Sequence, residues 1–142
     1  MKWHKSNIEL PTHGKGMYVF NDQINAQLRA WDVHEGMCFL FCPHTSASLS
    51  INENYDPTAQ ADLETSLEKL VPEGENWYSH AAEGPDDATS HIRTMLTGTS
   101  LTIPVDHGVL TLGTWQGVYL FEHRSLSHRR EVWMRVLDMS AE

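Results

Sequence analysis

The chain has 142 residues, with ten Lys and Arg against nineteen Asp and Glu and a formal net charge of −9. That length fits one domain with a real core, so a single unit over residues 1–142 is expected. The acidic balance argues against a nucleic-acid binder, which shows a basic face. No run approaches the roughly 18 to 20 apolar residues of a membrane helix, and MKWHKSNIEL lacks the apolar segment of a secretory leader.

Residues 3–10 alternate weakly and read as a first strand, and GMYVF (16–20) reads as a second after the turn PTHGKG. Asn21 or Asp22 then caps a short helix, in which Ile24, Leu28 and Trp31 form one stripe. MCFLFC (37–42) reads as an apolar strand covered on both faces. Its two cysteines, Cys38 and Cys42, are four residues apart on a strand. That is about 13 Å, too far for a disulfide, so two buried free thiols and a reducing cytoplasm are expected.

After Pro43, Ala47, Leu49 and Ile51 alternate with Ser46, Ser48, Ser50 and Asn52, a strand with one buried and one polar face. The polar face is expected to wall a pocket. Asp56-Pro57 starts a helix whose stripe is Leu63, Leu67 and Leu70. The long loop PEGENWYSHAAEGPDD carries aromatic residues, which points to function rather than disorder. A third helix runs from about Asp87 to Leu96, with Ala88, His91, Ile92, Met95 and Leu96 on its apolar side. From residue 100 the segments SLTIPV, GVLTLG, GVYLFEH and REVWMRVL read as antiparallel strands. The fold class is α+β: an antiparallel, β-rich, sandwich-like core with about three helices.

Several residues carry possible chemistry. His44, His80 and His91 come from three different elements, and three imidazoles meeting at one point would make an open, catalytic-type metal site. A lone histidine on an apolar helix face is more often a satisfied core residue. Glu53 stands between two asparagines at a strand's edge, where a general base or a ligand-orienting carboxylate would serve. Asp62 falls on the polar side of its helix. In TLGTWQG, Trp115 can stack on a ring while Gln116 reads its polar edge, although a bulge with a packed tryptophan explains the segment equally well. Arg124, Arg129 and Arg130 gather at one hairpin, the place in so acidic a chain to hold a phosphate.

Three blocks, PHTSASLSINENYDP, YSHAAEGPDDATSHIRTMLTGTSLTIPV and GVLTLGTWQGVYLFEHR, resemble the YjbQ-like family in the same order, from about residue 16 to about residue 137. Members of that family are often named secondary thiamine-phosphate synthase enzymes. The resemblance implies a compact β-rich α+β homotrimer whose histidines line a pocket able to hold a divalent metal. Its shared positions fall on His44, His80, His91, Glu53, Asn54, Asp56, Asp62, Thr114, Trp115 and Gln116; because imidazole is the commonest ligand, the metal is read on His44, His80 and His91, with catalytic roles on Glu53, Asp62 and Gln116 and a small-molecule substrate on Asn54, Trp115 and Arg129. The activity it implies joins a pyrimidine diphosphate to a thiazole phosphate, with metal-assisted hydrolysis of a small phosphorylated metabolite as a second possibility. A non-catalytic trimer that binds metal or a small molecule is the alternative. Three imidazoles suit Zn²⁺, whereas thiamine-phosphate synthesis would call for Mg²⁺. One departure stands out: many members carry an asparagine shortly before the helix-borne histidine, where this chain reads PDDATSH.

Overall fold

A computed structural model describes residues 1–141. The chain runs β1 (Lys2–His13), β2 (Gly16–Val19), α1 (Asn21–Ala30), β3 (Gly36–Phe41), β4 (Ala47–Glu53), α2 (Pro57–Leu70), α3 (Asp87–Leu96), β5 (Ser100–Asp106), β6 (Val109–Leu110), β7 (Gln116–Glu122) and β8 (Ser127–Asp138). The strands form a five-stranded sheet in the order β1-β8-β3-β5-β6 and a three-stranded sheet in the order β2-β7-β4. All pairings are antiparallel. The α+β class read from the sequence is the one observed.

The long strands β1 and β8 pair along their whole length, from Lys2 opposite Asp138 to His13 opposite Ser127. The first strand therefore continues three residues past the end the alternation indicates. Pro11 is tolerated because β1 is an edge strand, where a missing N–H breaks no ladder. The β5–β6 hairpin closes through His107 and Gly108, both at positive φ (54° and 83°), the backbone a tight two-residue turn requires.

The main core joins Ile8, Leu10, Cys38, Leu40, Ile103, Val132 and Met134 of the larger sheet to Ala47, Leu49, Val118 and Leu120 of the smaller, with Ile24 and Leu28 of α1 at its end. A second core lies on the other face of the smaller sheet. There Met17, Tyr119 and Phe121 meet Leu67, Val71, Leu63 and Ile92 from the helices. The two apolar faces of GVYLFEH are thus both covered within one chain.

Several expectations are overturned: Leu70 of the α2 stripe is exposed, and α1 begins at Asn21 itself, behind Phe20 and without a side-chain cap. The strand MCFLFC is covered on one face only: Cys38 and Leu40 are buried, while Phe39 and Phe41 are exposed. They form an outer aromatic surface with Trp3 and Trp133, in pairs 5.9 Å (Trp3–Phe39) and 5.7 Å (Phe41–Trp133) apart. The helix α3 is also turned around. Its buried residues are Asp87, Thr89, Ser90 and Arg93, whereas Met95 is 76% and Leu96 52% exposed. Part of the surface beneath it is polar: Ser48 of β4 bonds Thr97, just past the helix end (2.6 Å). Thr89 and Arg93 bond the carbonyls of Pro72 and Val71 at the end of α2. Specific hydrogen bonds hold this face down, as burial of polar groups demands.

Candidate metal centre

Asp87 and His91 lie one helical turn apart at the start of α3, so their side chains share a face. His80 comes from the loop before the helix. Its Nε2 is 2.6 Å from Oδ2 of Asp87, and Nε2 of His91 is 3.0 Å from the same oxygen. Asp87 is buried, and the two imidazoles, 5.4 Å apart, are partly open to solvent. Two nitrogens and a carboxylate oxygen all lie within 4.8 Å of one another.

The hydrogen bonding of His91 constrains what sits among them. Its Nδ1 is 2.7 Å from the carbonyl oxygen of Thr45. A carbonyl only accepts, so Nδ1 carries the hydrogen. In a neutral imidazole Nε2 then carries a lone pair, and it faces a carboxylate oxygen. Two acceptors at that distance need a shared proton or a metal ion between them. A backbone carbonyl on the remote nitrogen is the arrangement that orients metal-ligating histidines. Burial raises the Asp87 carboxyl, but the bond from His80 and the charges of His91 and Arg124 outweigh it and hold it below the usual carboxylate range.

Two hollows share residues with the cluster. His91 lines an open cleft of about 560 Å³ with His44, Thr45, Thr94, Met95 and Thr99. His80 lines another, of about 350 Å³, with Tyr78, Gly84 and Pro85.

His44 shares the cleft with His91 but stands outside the cluster. Its Nε2 lies 3.0 Å from the backbone N and 3.2 Å from the backbone O of Glu131. Pairing of β3 with β8 stops at Phe41 opposite Trp133, and the imidazole takes up the next backbone groups of β8. Burial first, then the nearby Arg130 charge, lowers its pKa.

The carboxylates and the Trp-Gln block lie elsewhere. Glu53 and Gln116 are opposite one another where β4 ends, whereas the cluster meets the chain at Thr45, before β4 begins. The seven residues between span about 20 Å. Glu53 Oε2 accepts the N–H groups of Tyr55 and Asp56, and Gln116 Oε1 accepts from Gly113 N. Asn54 Oδ1 accepts from the Tyr119 hydroxyl at 2.9 Å, and the Asn54 side chain lies so close to Gly117 that a Cβ there would meet its Cβ and Cγ at 2.7 Å. Trp115 is half exposed, edge-on to Tyr55 at 4.9 Å. Asp62 is exposed on α2.

The three arginines do not act together. Arg129 is exposed, 3.6 Å from Glu9. Arg130 is buried and bonds both oxygens of the fully buried Glu122, at 2.6 and 2.5 Å. Arg124 bonds Asp86 and Asp87 at 3.0 and 2.6 Å. Asp87 and Arg124 thus join the cluster without having been singled out for it. The visible signal was the i, i+4 spacing of Asp87 and His91; the Arg124 contact crosses 37 residues and leaves no local trace. The polar alternates Ser46 and Ser48 are buried as well, bonded to Arg130 (2.9 Å) and His123 (2.8 Å), and do not wall the cleft.

A family model described as UPF0047 protein YjbQ-like matches residues 6–139. A UPF0047 protein of Synechocystis is 47% identical over 133 residues, 94% of this chain and 90% of that protein. The UPF0047 protein YjbQ of Salmonella typhimurium is 44% identical over 123 residues, 86% of this chain and 88% of that one. Among solved structures, a conserved hypothetical protein of Thermus thermophilus superposes with a TM-score of 0.84 at 35% identity, covering 93% of this chain and 99% of its own. An uncharacterised YjbQ/UPF0047 protein of Clostridium acetobutylicum gives 0.84 at 32%, with the same coverage. No helix among the described residues is long and apolar enough to cross a membrane.

Proposed function

The chain belongs to the YjbQ-like UPF0047 family, and from that premise we propose that it is a metal-binding enzyme acting on a small molecule in the cleft beside His91. The observation that carries this reading is His91 itself: Nδ1–H fixed on Thr45 and Nε2 turned onto the Asp87 carboxylate that His80 also meets. His80, Asp87 and His91 would hold a divalent cation, which supplies Lewis-acid polarisation and an activated water. Two imidazole nitrogens and one carboxylate suit Zn²⁺ or a similar transition metal. Mg²⁺ prefers oxygen donors, so the donor set favours metal-assisted hydrolysis over a Mg²⁺-dependent thiamine-phosphate synthesis.

Among the chain's own groups, Asp87 keeps both imidazoles turned to one point, and Thr45 fixes the tautomer of His91. His44 and the threonines of the cleft offer uncharged contacts to a bound molecule. The exposed aromatic face of the larger sheet supports assembly of several copies, three by the family resemblance.

One observation favours the other reading, a binding protein without turnover: Glu53, Asp62 and Gln116 stand away from the cluster, so none is placed as its general base. Elemental analysis of untagged protein, purified without a metal column, tests the shared premise. About one transition-metal ion per chain is expected, lost in both His91→Ala and His80→Ala. Wild-type protein that neither carries nor takes up such an ion would remove the basis for both metal readings.

A further inference from the structure

The guanidinium of Arg124 meets three acceptors on the segment that carries the cluster: Asp86 Oδ2 at 3.0 Å, Asp87 Oδ1 at 2.6 Å and the Glu83 carbonyl at 3.2 Å. Its root is fixed from the sheet. The backbone N–H of Arg124 donates to Glu122 Oε1 at 3.0 Å, and Glu122 is held by Arg130 and Thr12. The backbone from which the fork extends is therefore anchored by groups outside the cluster.

The consequence concerns the carboxylate. Asp87 Oδ2 faces both imidazoles, while Oδ1 is taken by Arg124. A carboxylate can coordinate through one oxygen or through both. Large, hard cations collect about six to eight oxygens and commonly use a carboxylate bidentately. A small cation of the zinc type is satisfied by three protein donors and one water.

We propose that Arg124 is a specificity-determining residue: by occupying Oδ1 it restricts Asp87 to a single donor oxygen and so selects a four-coordinate cation of the zinc type over Mn²⁺ or Ca²⁺. This rests on the cation reading above and decides which cation the cluster takes. A guanidinium does this better than an ammonium, because its planar fork holds two carboxylates and a carbonyl at once.

The test uses full-length protein stripped with a chelator. Zn²⁺ and Mn²⁺ affinities are measured by competition titration, and Co²⁺ is added as a probe of coordination number. Wild type is expected to prefer Zn²⁺ and to give the intense visible absorption of four-coordinate Co²⁺. Arg124→Met frees Oδ1 and should narrow the Zn²⁺-over-Mn²⁺ preference by about tenfold or more, with the Co²⁺ bands falling to six-coordinate intensity. Arg124→Lys should retain the wild-type spectrum, because an ammonium still covers Oδ1. A folded Arg124→Met protein whose preference and Co²⁺ spectrum match wild type overturns the proposal. If that variant does not fold, Arg124→Gln and the wild-type spectrum decide, and six-coordinate Co²⁺ in wild type is then the overturning result. Binding of none of the three cations would refute the cation reading itself, an outcome distinct from binding with the wrong selectivity.

Discussion

Acid should destabilise this protein through one histidine before its carboxylates respond. His123 is fully buried; its Nε2 is 2.8 Å from the Ser48 hydroxyl, and its Nδ1 has no partner among the described residues. Burial, then the charge of Arg93, lowers its pKa from 6.5 to about 3. Below 6.5 the unfolded chain takes up a proton that the folded chain refuses. Stability from this group is fully present above that pH and falls by about 1.4 kcal/mol per pH unit down to about 3. Over the whole window the loss is about 4 to 5 kcal/mol, a large share of the roughly 5 to 15 kcal/mol that holds a domain folded. His123→Phe keeps a ring against Phe121, now 4.7 Å away, and removes the titration. Urea unfolding of chelator-treated protein at about pH 6.5 and about pH 4.5 provides the comparison. Wild type should lose roughly 2 to 3 kcal/mol more than the variant across that interval. Equal losses in the two proteins would refute the reasoning.

Three further outcomes follow from packing. A Cβ at Gly36 would meet the Leu137 carbonyl oxygen at 2.0 Å, where neither backbone can yield, so Gly36→Ala should cost about 3 kcal/mol or more in urea unfolding. Arg130→Met strands the buried Glu122 carboxylate and should cost roughly 3 to 5 kcal/mol, whereas Glu122→Gln, which still accepts hydrogen bonds, should cost less; a reversed order would contradict the buried-charge argument. Replacing Phe41 and Trp133 together by lysine should shift sedimentation velocity toward the single chain, and an unchanged assembly would show that this face is not where copies meet.

Elements were more legible than faces. The Asp56 cap, whose carboxylate accepts from Thr58 N, and Pro57 behind it mark the start of α2 where the sequence indicates it. For α3, hydrophobic periodicity assigns Ala88, His91, Ile92, Met95 and Leu96 to the interior, yet Ile92 packs against the second core while Met95 and Leu96 are exposed. Periodicity reports which residues share a face, and it says nothing of whether the covering surface is itself polar, as Ser48 is. His80 and His91 stood out because imidazoles between apolar and aromatic residues ask for a reason. Asp87 enters the sequence reading only as the start of the third helix, and only the fold shows two imidazoles and a guanidinium converging on it. Arg124, Arg129 and Arg130 are adjacent in sequence, yet partners contributed by distant segments send each to a different environment.

The inverted seating of α3 bears on the order in which the protein assembles. Hydrophobic collapse gathers apolar surface without regard to geometry, and the buried side of α3 offers little of it beyond Ile92, which packs against the second core. Arg93 needs the Val71 carbonyl at the end of α2, Thr97 needs Ser48 on β4, and Asp87 needs Arg124 after β7. None of these partners is in place until the smaller sheet and α2 have formed. The helix bearing two of the three cluster residues is therefore expected to dock late and to open without the sheets, because that opening breaks a handful of polar contacts and exposes little apolar surface. The amides of α3 would then exchange through a partial opening that leaves both sheets intact, and a cation held between the helix and its preceding loop would close that opening.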